Sequence, residues 1–276
     1  MQNNTPSSDE PDFILIAGPC VIESRDLLRR CAEALLAIAA PHNLNFVFKA
    51  SYRKANRSSV DSFTGVGDEQ ALGWLSDIRR EYGLPVLSDF HSVAEIHALA
   101  DAVDVIQIPA FLARQTDLLQ AAGETGKIVN VKKAQFMAPT DMQKAAAKVR
   151  SAGPGDIWLT ERGTSFGYHD LVVDFRGLVI MREFGHPVIF DATHSVQRPS
   201  IGRESGGFRE FIPHLARAAA ACGIDGLFME AHPDPANAKS DAATQLNFDE
   251  AAAVLKSVVA LHKLAREFAA NPTTNK

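Results

Sequence analysis

The segment from Lys49 to Ser59 reads Lys-Ala-Ser-Tyr-Arg-Lys-Ala-Asn-Arg-Ser-Ser and follows the apolar run Phe46-Val47-Phe48. It sets Lys49, Arg53, Lys54 and Arg57, the Asn56 amide and the hydroxyls of Ser58 and Ser59 at the exit of a buried strand. Donors of this kind on a rigid support suit an anion, because phosphates and carboxylates are held by charge-assisted hydrogen bonds whose geometry the support must fix. A second set has metal character. Cys20 ends Ile16-Ala-Gly-Pro-Cys, His194 ends Phe190-Asp-Ala-Thr-His, Glu230 ends Leu227-Phe-Met-Glu, and Asp241 follows in the next loop. One thiolate, one imidazole and two carboxylates can coordinate a divalent transition ion, and their mixed softness favours zinc, iron, cobalt or manganese over magnesium. No two of them form a short motif such as Cys-x-x-Cys, so this reading depends on a fold that gathers them. Taken singly, Cys20 reads as a small buried hydrophobe and His194 as a satisfied core histidine.

Residues so far apart need a repeating scaffold, and the hydrophobicity of the chain supplies one. Short apolar runs predict strands at Phe13 to Ala17, Asn45 to Ala50, Pro85 to Asp89, Val103 to Pro109, Ile128 to Lys132, Asp156 to Thr160, Pro187 to Asp191 and Gly226 to Glu230. Each is nearly continuous in its Val, Ile, Leu and Phe content, as parallel strands buried on both faces must be. Between them lie amphipathic stretches. In the first, Ser24 to Ala39, Ser24 is placed to cap a helix whose Leu27, Leu28, Cys31, Leu35 and Ile38 recur at helical steps, which makes Cys31 a core residue. The others are Glu69 to Tyr82, Val93 to Ala100, Gln115 to Thr125, Pro139 to Ser151, Phe175 to Phe184, Phe208 to Cys222 and Phe248 to Ala270. The alternation predicts an α/β protein, a single (β/α)8 TIM barrel over residues 12–270, with a disordered tail at 1–11 and a flexible terminus at 271–276.

Composition agrees and excludes other classes. A chain of 276 residues that is 46% hydrophobic and 22% charged is globular and long enough for one such barrel. A net charge of -5 argues against a general nucleic-acid or membrane-surface binder, since both need a basic field summed over the surface. Cys20, Cys31 and Cys222 are too few for a disulfide framework and suit a reducing compartment. The polar start lacks the pattern of a secretory signal, and no run approaches a membrane span; the expected location is the cytoplasm.

In a barrel the C-terminal strand ends converge on one mouth, where active sites lie. The expected polar residues there are Cys20, Lys49 to Ser59, Asp89, His91, Arg114, Lys132, Lys133, Glu161, Arg162, Asp191, His194, Glu230 and His232. If Lys49, Lys54, Lys132 and Arg162 meet without nearby acids, only a bound anion makes the cluster stable, and phosphorylated substrates fit. Blander readings apply elsewhere. His91, His97, His186 and His214 have no obvious partners, and Lys133, Lys144 and Lys148 read as solvated charges. By strand alternation only one of Lys132 and Lys133 points inward. Phe111, Phe136 and Phe166 read as packing or pocket walls, and the glycines and charges of Ser200 to Gly207 suggest a mobile cover.

The segments Ile16-Ala-Gly-Pro-Cys-Val-Ile-Glu-Ser, Phe48-Lys-Ala-Ser, Lys54-Ala-Asn-Arg-Ser-Ser, Ile106-Gln-Ile-Pro-Ala-Phe-Leu, Arg114-Gln-Thr-Asp-Leu-Leu, Val129-Asn-Val-Lys-Lys, Leu159-Thr-Glu-Arg-Gly-Thr, Asp191-Ala-Thr-His-Ser-Val-Gln and Ser240-Asp-Ala follow in order. In that order, over residues 12–270, the chain resembles the 3-deoxy-D-manno-octulosonate 8-phosphate synthase family. Lys54-Ala-Asn-Arg-Ser-Ser is the specific part, because the related synthase of the aromatic pathway carries a different motif there. The resemblance implies condensation of phosphoenolpyruvate with D-arabinose 5-phosphate and water, giving the eight-carbon sugar acid phosphate of lipopolysaccharide synthesis and inorganic phosphate. It also implies the metal-dependent branch, which has Cys where metal-independent members have Asn. Cys20, His194, Glu230 and Asp241 would then be the ligands.

By the same resemblance Lys132 and Arg162 hold the phosphate of phosphoenolpyruvate, with Lys49 and Lys54 near its carboxylate and reacting carbons. Asn56, Arg57 and Ser58 take arabinose 5-phosphate. Arg114 reaches that phosphate from a neighbouring subunit of a homotetramer. Lys54, His194 and Asp241 are the expected catalytic groups, the first polarising the aldehyde and the others candidates to receive the proton of the attacking water. Tyr52-Arg53 departs from the Phe-Asp of many members. The rival readings are the aromatic-pathway synthase acting on erythrose 4-phosphate, a metal-dependent sugar-phosphate aldolase or isomerase, and a non-catalytic phosphate-binding barrel.

Overall fold

The computed structural model of the protein describes residues 13–56, 61–198 and 206–270. The expected tail, the terminus after 270, Arg57, Ser58 and all of the 200–207 loop except its last two glycines lie outside the described residues. Eight parallel strands close into a barrel, numbered here in chain order: β1 Ile14–Gly18, β2 Asn45–Lys49, β3 Val86–Asp89, β4 Val105–Ile108, β5 Ile128–Lys132, β6 Ile157–Glu161, β7 Val188–Asp191 and β8 Gly226–Glu230. Consecutive strands are neighbours, and β8 pairs with β1 from Ile14 opposite Gly226 to Gly18 opposite Glu230.

The helices are α1 Arg25–Ala39, α2 Asp68–Tyr82, α3 Ile96–Ala102, α4 Thr116–Glu124, α5 Met142–Arg150, α6 Arg176–Arg182, α7 Ile212–Ala221 and α8 Phe248–Ala270. Ser24 caps α1 by accepting from the Leu27 N–H at 3.2 Å, and Leu28, Cys31, Ala32, Leu35 and Ala39 form its buried stripe. Each fully buried leucine there contributes roughly 1.5–3 kcal/mol against exposure. Helices α3, α5 and α7 begin later than their sequence patterns suggest, because their first turns, Val93–Glu95, Pro139–Asp141 and Arg209–Phe211, wind as 3-10 helix. An antiparallel hairpin, Thr164–Phe166 with Asp170–Val172, follows β6, and a two-residue ribbon pairs Gln197–Arg198 with Gly206–Gly207.

Alternation divides every strand between two cores. Ile16, Val47, Leu87, Val105, Trp158, Ile189 and Phe228 pack together inside the barrel. Residues of the opposite phase, such as Leu15, Phe48, Ile106, Val131, Leu159, Phe190 and Leu227, pack in the larger core against the helices. The inward phase, continued toward the strand ends, carries Lys49, Asp89, Gln107, Asn130, Lys132, Thr160, Asp191 and Glu230, all buried. At Gly18 the backbones of β1 and β2 come so close that an added Cβ would lie 1.8 Å from the Lys49 carbonyl oxygen, which explains glycine there.

Candidate active site at the barrel mouth

Above the apolar plug lies a layer of neutral hydrogen bonds. Asn130 Nδ2 donates to Gln107 Oε1 at 3.1 Å, and Thr160 Oγ1 donates to Asn130 Oδ1 at 2.6 Å. The charged layer rests on it. Phe228 forms the floor, its ring centroid 3.5 Å from Lys132 Nζ and 5.6 Å from Lys49 Nζ, a cation–π arrangement that favours positive charge at both positions.

The basic cluster expected at the mouth forms, but it is not without counter-charges. Lys49 pairs with Glu230, and Lys132 Nζ lies 2.5 Å from Asp191 Oδ2. The acids come from strands remote in sequence, so adjacency along the chain did not reveal them. Burial pulls the pKa of Lys132 down, and Asp191 opposes that shift. Lys54 is also crowded by acids: burial works against its charge, but Cys20, Glu230, Asp89 and Asp241 together raise its pKa.

Asp191 had no assigned role, yet it is the most connected acid in the mouth. Besides Lys132, its Oδ2 lies 2.8 Å from His194 Nδ1, while Oδ1 accepts from the His194 N–H at 2.9 Å and Thr193 Oγ1 at 3.2 Å. Thr193 Oγ1 in turn accepts from the Glu230 N–H at 3.2 Å. One carboxylate thus lies against both a cation and an imidazole. The inward phase of β7, extended to its last residue, was the signal in the sequence.

The four expected ligands converge. One donor atom each from Cys20, Glu230 and Asp241 lies within 4.8 Å of the others, and His194 Nε2 lies 3.6 Å from both Glu230 Oε1 and Asp241 Oδ2. The residues fit a soft-to-borderline divalent ion. Glu230 Oε2 is buried with no hydrogen-bond partner, a carboxylate atom left for such a charge. The Cys20 thiol donates to Asp241 Oδ2 at 3.2 Å. Burial, with Asp241 and Glu230 close by, pushes its pKa well up, so a thiolate there needs a cation beside it. Asp241 also takes a left-handed backbone, φ 49°, rare for a side chain larger than glycine and typical of functional positions.

Arg162 is buried just beyond β6, where Nη2 donates to Gln197 Oε1 at 2.9 Å and Nη1 has no partner. Its unused donors suit an anion. Asn56 is exposed at the end of the described Lys49–Asn56 segment, and Arg114 is exposed on the loop before α4, outside the inward set. Three expectations are corrected. Lys133 is fully buried against Glu161 rather than solvated, because the strand phase that sends Lys132 inward sends Lys133 among the helices. His91 has partners: its Nε2 is 3.3 Å from Asp89 Oδ2 and its N–H donates to Glu95. Phe111, Phe136 and Phe166 are more than half exposed, which removes the packing alternative of their expected roles; they lie in the segments that follow β4, β5 and β6.

His232, by contrast, turns to its own loop, accepting from the Asp234 N–H, with Nε2 3.6 Å from Glu23. The departure at Tyr52-Arg53 is absorbed by Glu95, which accepts from Tyr52 Oη and Arg53 Nη2 at 2.5 Å each, while Arg53 also pairs with Asp68 at 3.1 Å.

A profile of the DAHP synthetase I family matches residues 3–267. The chain is 54% identical over 257 residues to the 2-dehydro-3-deoxyphosphooctonate aldolase of Koribacter versatilis (strain Ellin345), covering 92% of each chain. Its likeness to the protein of that name from Desulfatibacillum aliphaticivorans is 52% over 254 residues, 92% of this chain and 93% of the other. To that of Geotalea uraniireducens (strain Rf4) it is 50% over 259 residues, 94% and 95% of the two chains.

Proposed function

Because the chain belongs to the DAHP synthetase I family, we propose that it condenses phosphoenolpyruvate with D-arabinose 5-phosphate and water, yielding 3-deoxy-D-manno-octulosonate 8-phosphate and inorganic phosphate for lipopolysaccharide. Three relatives carrying the 2-dehydro-3-deoxyphosphooctonate aldolase name support this activity over at least 92% of each chain. The observation that carries the site is a buried Arg162 whose Nη1 has no partner, in a mouth that also holds buried Lys132 and the convergent donors of Cys20, His194, Glu230 and Asp241. Three free cysteines among the described residues are consistent with a cytoplasmic enzyme, and no described helix is long and apolar enough to cross a membrane.

Carbon 3 of phosphoenolpyruvate must reach the sugar aldehyde, water must add at carbon 2, and the bond from carbon 2 to the phosphate oxygen must break. Lys132 and Arg162 bind that phosphate and stabilise the charge it carries away, as fixed donors in a site shielded from water do. Lys49 and Lys54 face the carboxylate and the reacting carbons. Lys54, held charged by its acidic neighbours, is placed to polarise the aldehyde oxygen. Asn56, Arg57 and Ser58 take the sugar phosphate. Cys20, His194, Glu230 and Asp241 would hold a divalent ion, which supplies Lewis-acid polarisation and acidification of water when bound. His194 or Asp241 would receive the proton of the attacking water, and Asp191 Oδ2, 2.8 Å from His194 Nδ1, would orient that ring. Exposed Phe111, Phe136, Phe166 and Tyr168 on loops at the mouth, with exposed Arg114 among them, support a homotetramer in which Arg114 completes a neighbour's site.

Phosphate release separates this reading from its rivals. It should require phosphoenolpyruvate and arabinose 5-phosphate together, exceed the rate with erythrose 4-phosphate, stop with a chelator and return with zinc, iron, manganese or cobalt. Preference for erythrose 4-phosphate would overturn the substrate assignment. Full turnover after chelation would overturn the metal.

A further inference from the structure

Alternation along β5 and β6 aims Lys132 and Arg162 into the mouth and sends Lys133 and Glu161 into the layer between strands and helices. There these two form an ion pair shut off from water, Nζ 3.5 Å from Oε1, with side chains 0% and 2% exposed. Lys133 Nζ also donates to Thr164 Oγ1 at 3.0 Å and to the carbonyls of Ala134 and Met137 at 3.4 Å. The same Glu161 oxygen accepts from the Gly163 N–H at 2.6 Å, and Gly163 holds the left-handed turn, φ 91°, that directly follows Arg162. Backbone bonds close the junction, Lys133 N–H to the Thr160 carbonyl at 2.8 Å and Ser165 N–H to that of Gln135 at 3.0 Å.

A buried ion pair is a poor source of stability, since an apolar pair of similar volume often does as well or better. This one grips the two strand ends immediately behind the two cations. We propose that Lys133 and Glu161 are positioning residues for phosphate binding: their ion pair locks the exits of β5 and β6, so that Lys132 and Arg162 meet one phosphoryl group at a fixed separation. The inference rests on the assignment of Lys132 and Arg162 to the phosphate of phosphoenolpyruvate. In it neither Lys133 nor Glu161 touches substrate.

The test compares the full-length, zinc-loaded protein with Lys133→Met, Glu161→Gln, the double variant and Lys132→Ala, by calorimetric titration of inorganic phosphate and of phosphoenolpyruvate and by steady-state kinetics. Misplacing a binding group by a fraction of an ångström to an ångström should weaken both anions by roughly tenfold in Lys133→Met and Glu161→Gln. KM for phosphoenolpyruvate should rise in step, with kcat, KM for arabinose 5-phosphate and zinc affinity little changed. If Lys133→Met does not fold, Glu161→Gln, which keeps the shape of the side chain, decides. A lower melting temperature with both anion affinities within twofold of the parent would overturn the inference, provided Lys132→Ala loses them. If Lys132→Ala also binds phosphate normally, the assignment of Lys132 itself fails, and the inference with it.

Discussion

Replacing Asp191 with Asn should cost both stability and metal affinity, and the two losses have separate causes. The buried carboxylate receives Lys132 Nζ on Oδ2, which also lies 2.8 Å from His194 Nδ1, and the His194 N–H and Thr193 Oγ1 on Oδ1. Asn keeps the volume but has one acceptor oxygen, so its amide must face either a lysine or two donors near His194. Both choices leave Lys132 buried without a counter-charge, which costs about 3–5 kcal/mol. That is a large share of a typical stability of about 5–15 kcal/mol, so the variant should fold but melt roughly 10 °C lower. In the proposed ligand set the second loss follows from His194: a ligand histidine released from its carboxylate typically weakens metal binding by about 10–100-fold. Thermal unfolding of the chelator-treated protein, followed through Trp74 and Trp158, measures the first; zinc competition against a chromophoric chelator measures the second. A melting point within about 2 °C of the parent together with unchanged zinc affinity would refute the reasoning.

On the proposed assignment of Arg162 to the phosphate, Arg162→Ala should lower kcat/KM for phosphoenolpyruvate by about 10²-fold or more in steady-state assays; near-normal turnover would contradict the assignment. Gly18→Ala drives a methyl group into the Lys49 carbonyl, so it should yield insoluble protein or lose at least about 3 kcal/mol in denaturant titration. For Glu95, burial alone would raise the carboxyl pKa, but hydrogen bonds from Ser92, Tyr52 and the His91 N–H, with Arg53 nearby, hold it at about 2. Its folded pKa therefore lies below the unfolded value of about 4.3, so its contribution is complete above that pH and disappears as pH falls toward 2. Glu95→Gln should flatten the loss of stability across that window, seen as urea midpoints that change less with pH than those of the parent.

The barrel was legible because strands buried on both faces cannot hide their composition: all eight predicted runs are strands, with ends shifted by at most a few residues. The convergence of Cys20, His194, Glu230 and Asp241 was legible too, once their positions at strand ends were combined with the geometry of a closed parallel sheet. Charge pairing was not. Asp191 and Glu230 neutralise lysines on β5 and β2, and no local pattern couples residues separated by 59 or 181 positions. Lys133 shows the same limit from the other side. Alternation fixed which lysine of the pair points inward, but a helical layer thick enough to bury the other, with Glu161 in register to meet it, is a property of the assembled fold. The role of Arg53 depended likewise on Glu95, which a 3-10 turn swings toward it from the next βα unit.

The alternation that separates the two cores makes the enzyme unevenly tolerant of genetic change. A substitution at the mouth alters one contact, and its effect scales with that contact. A single codon lost early in β5 would instead reverse the facing of every later residue of that strand, carrying Val131 into the polar layer of the barrel and Lys132 into the apolar layer against the helices. Viable length variation should therefore collect at places such as the tip between Phe166 and Asp170 of the hairpin, which lies outside the closed sheet and can lengthen or shorten without re-aiming a strand.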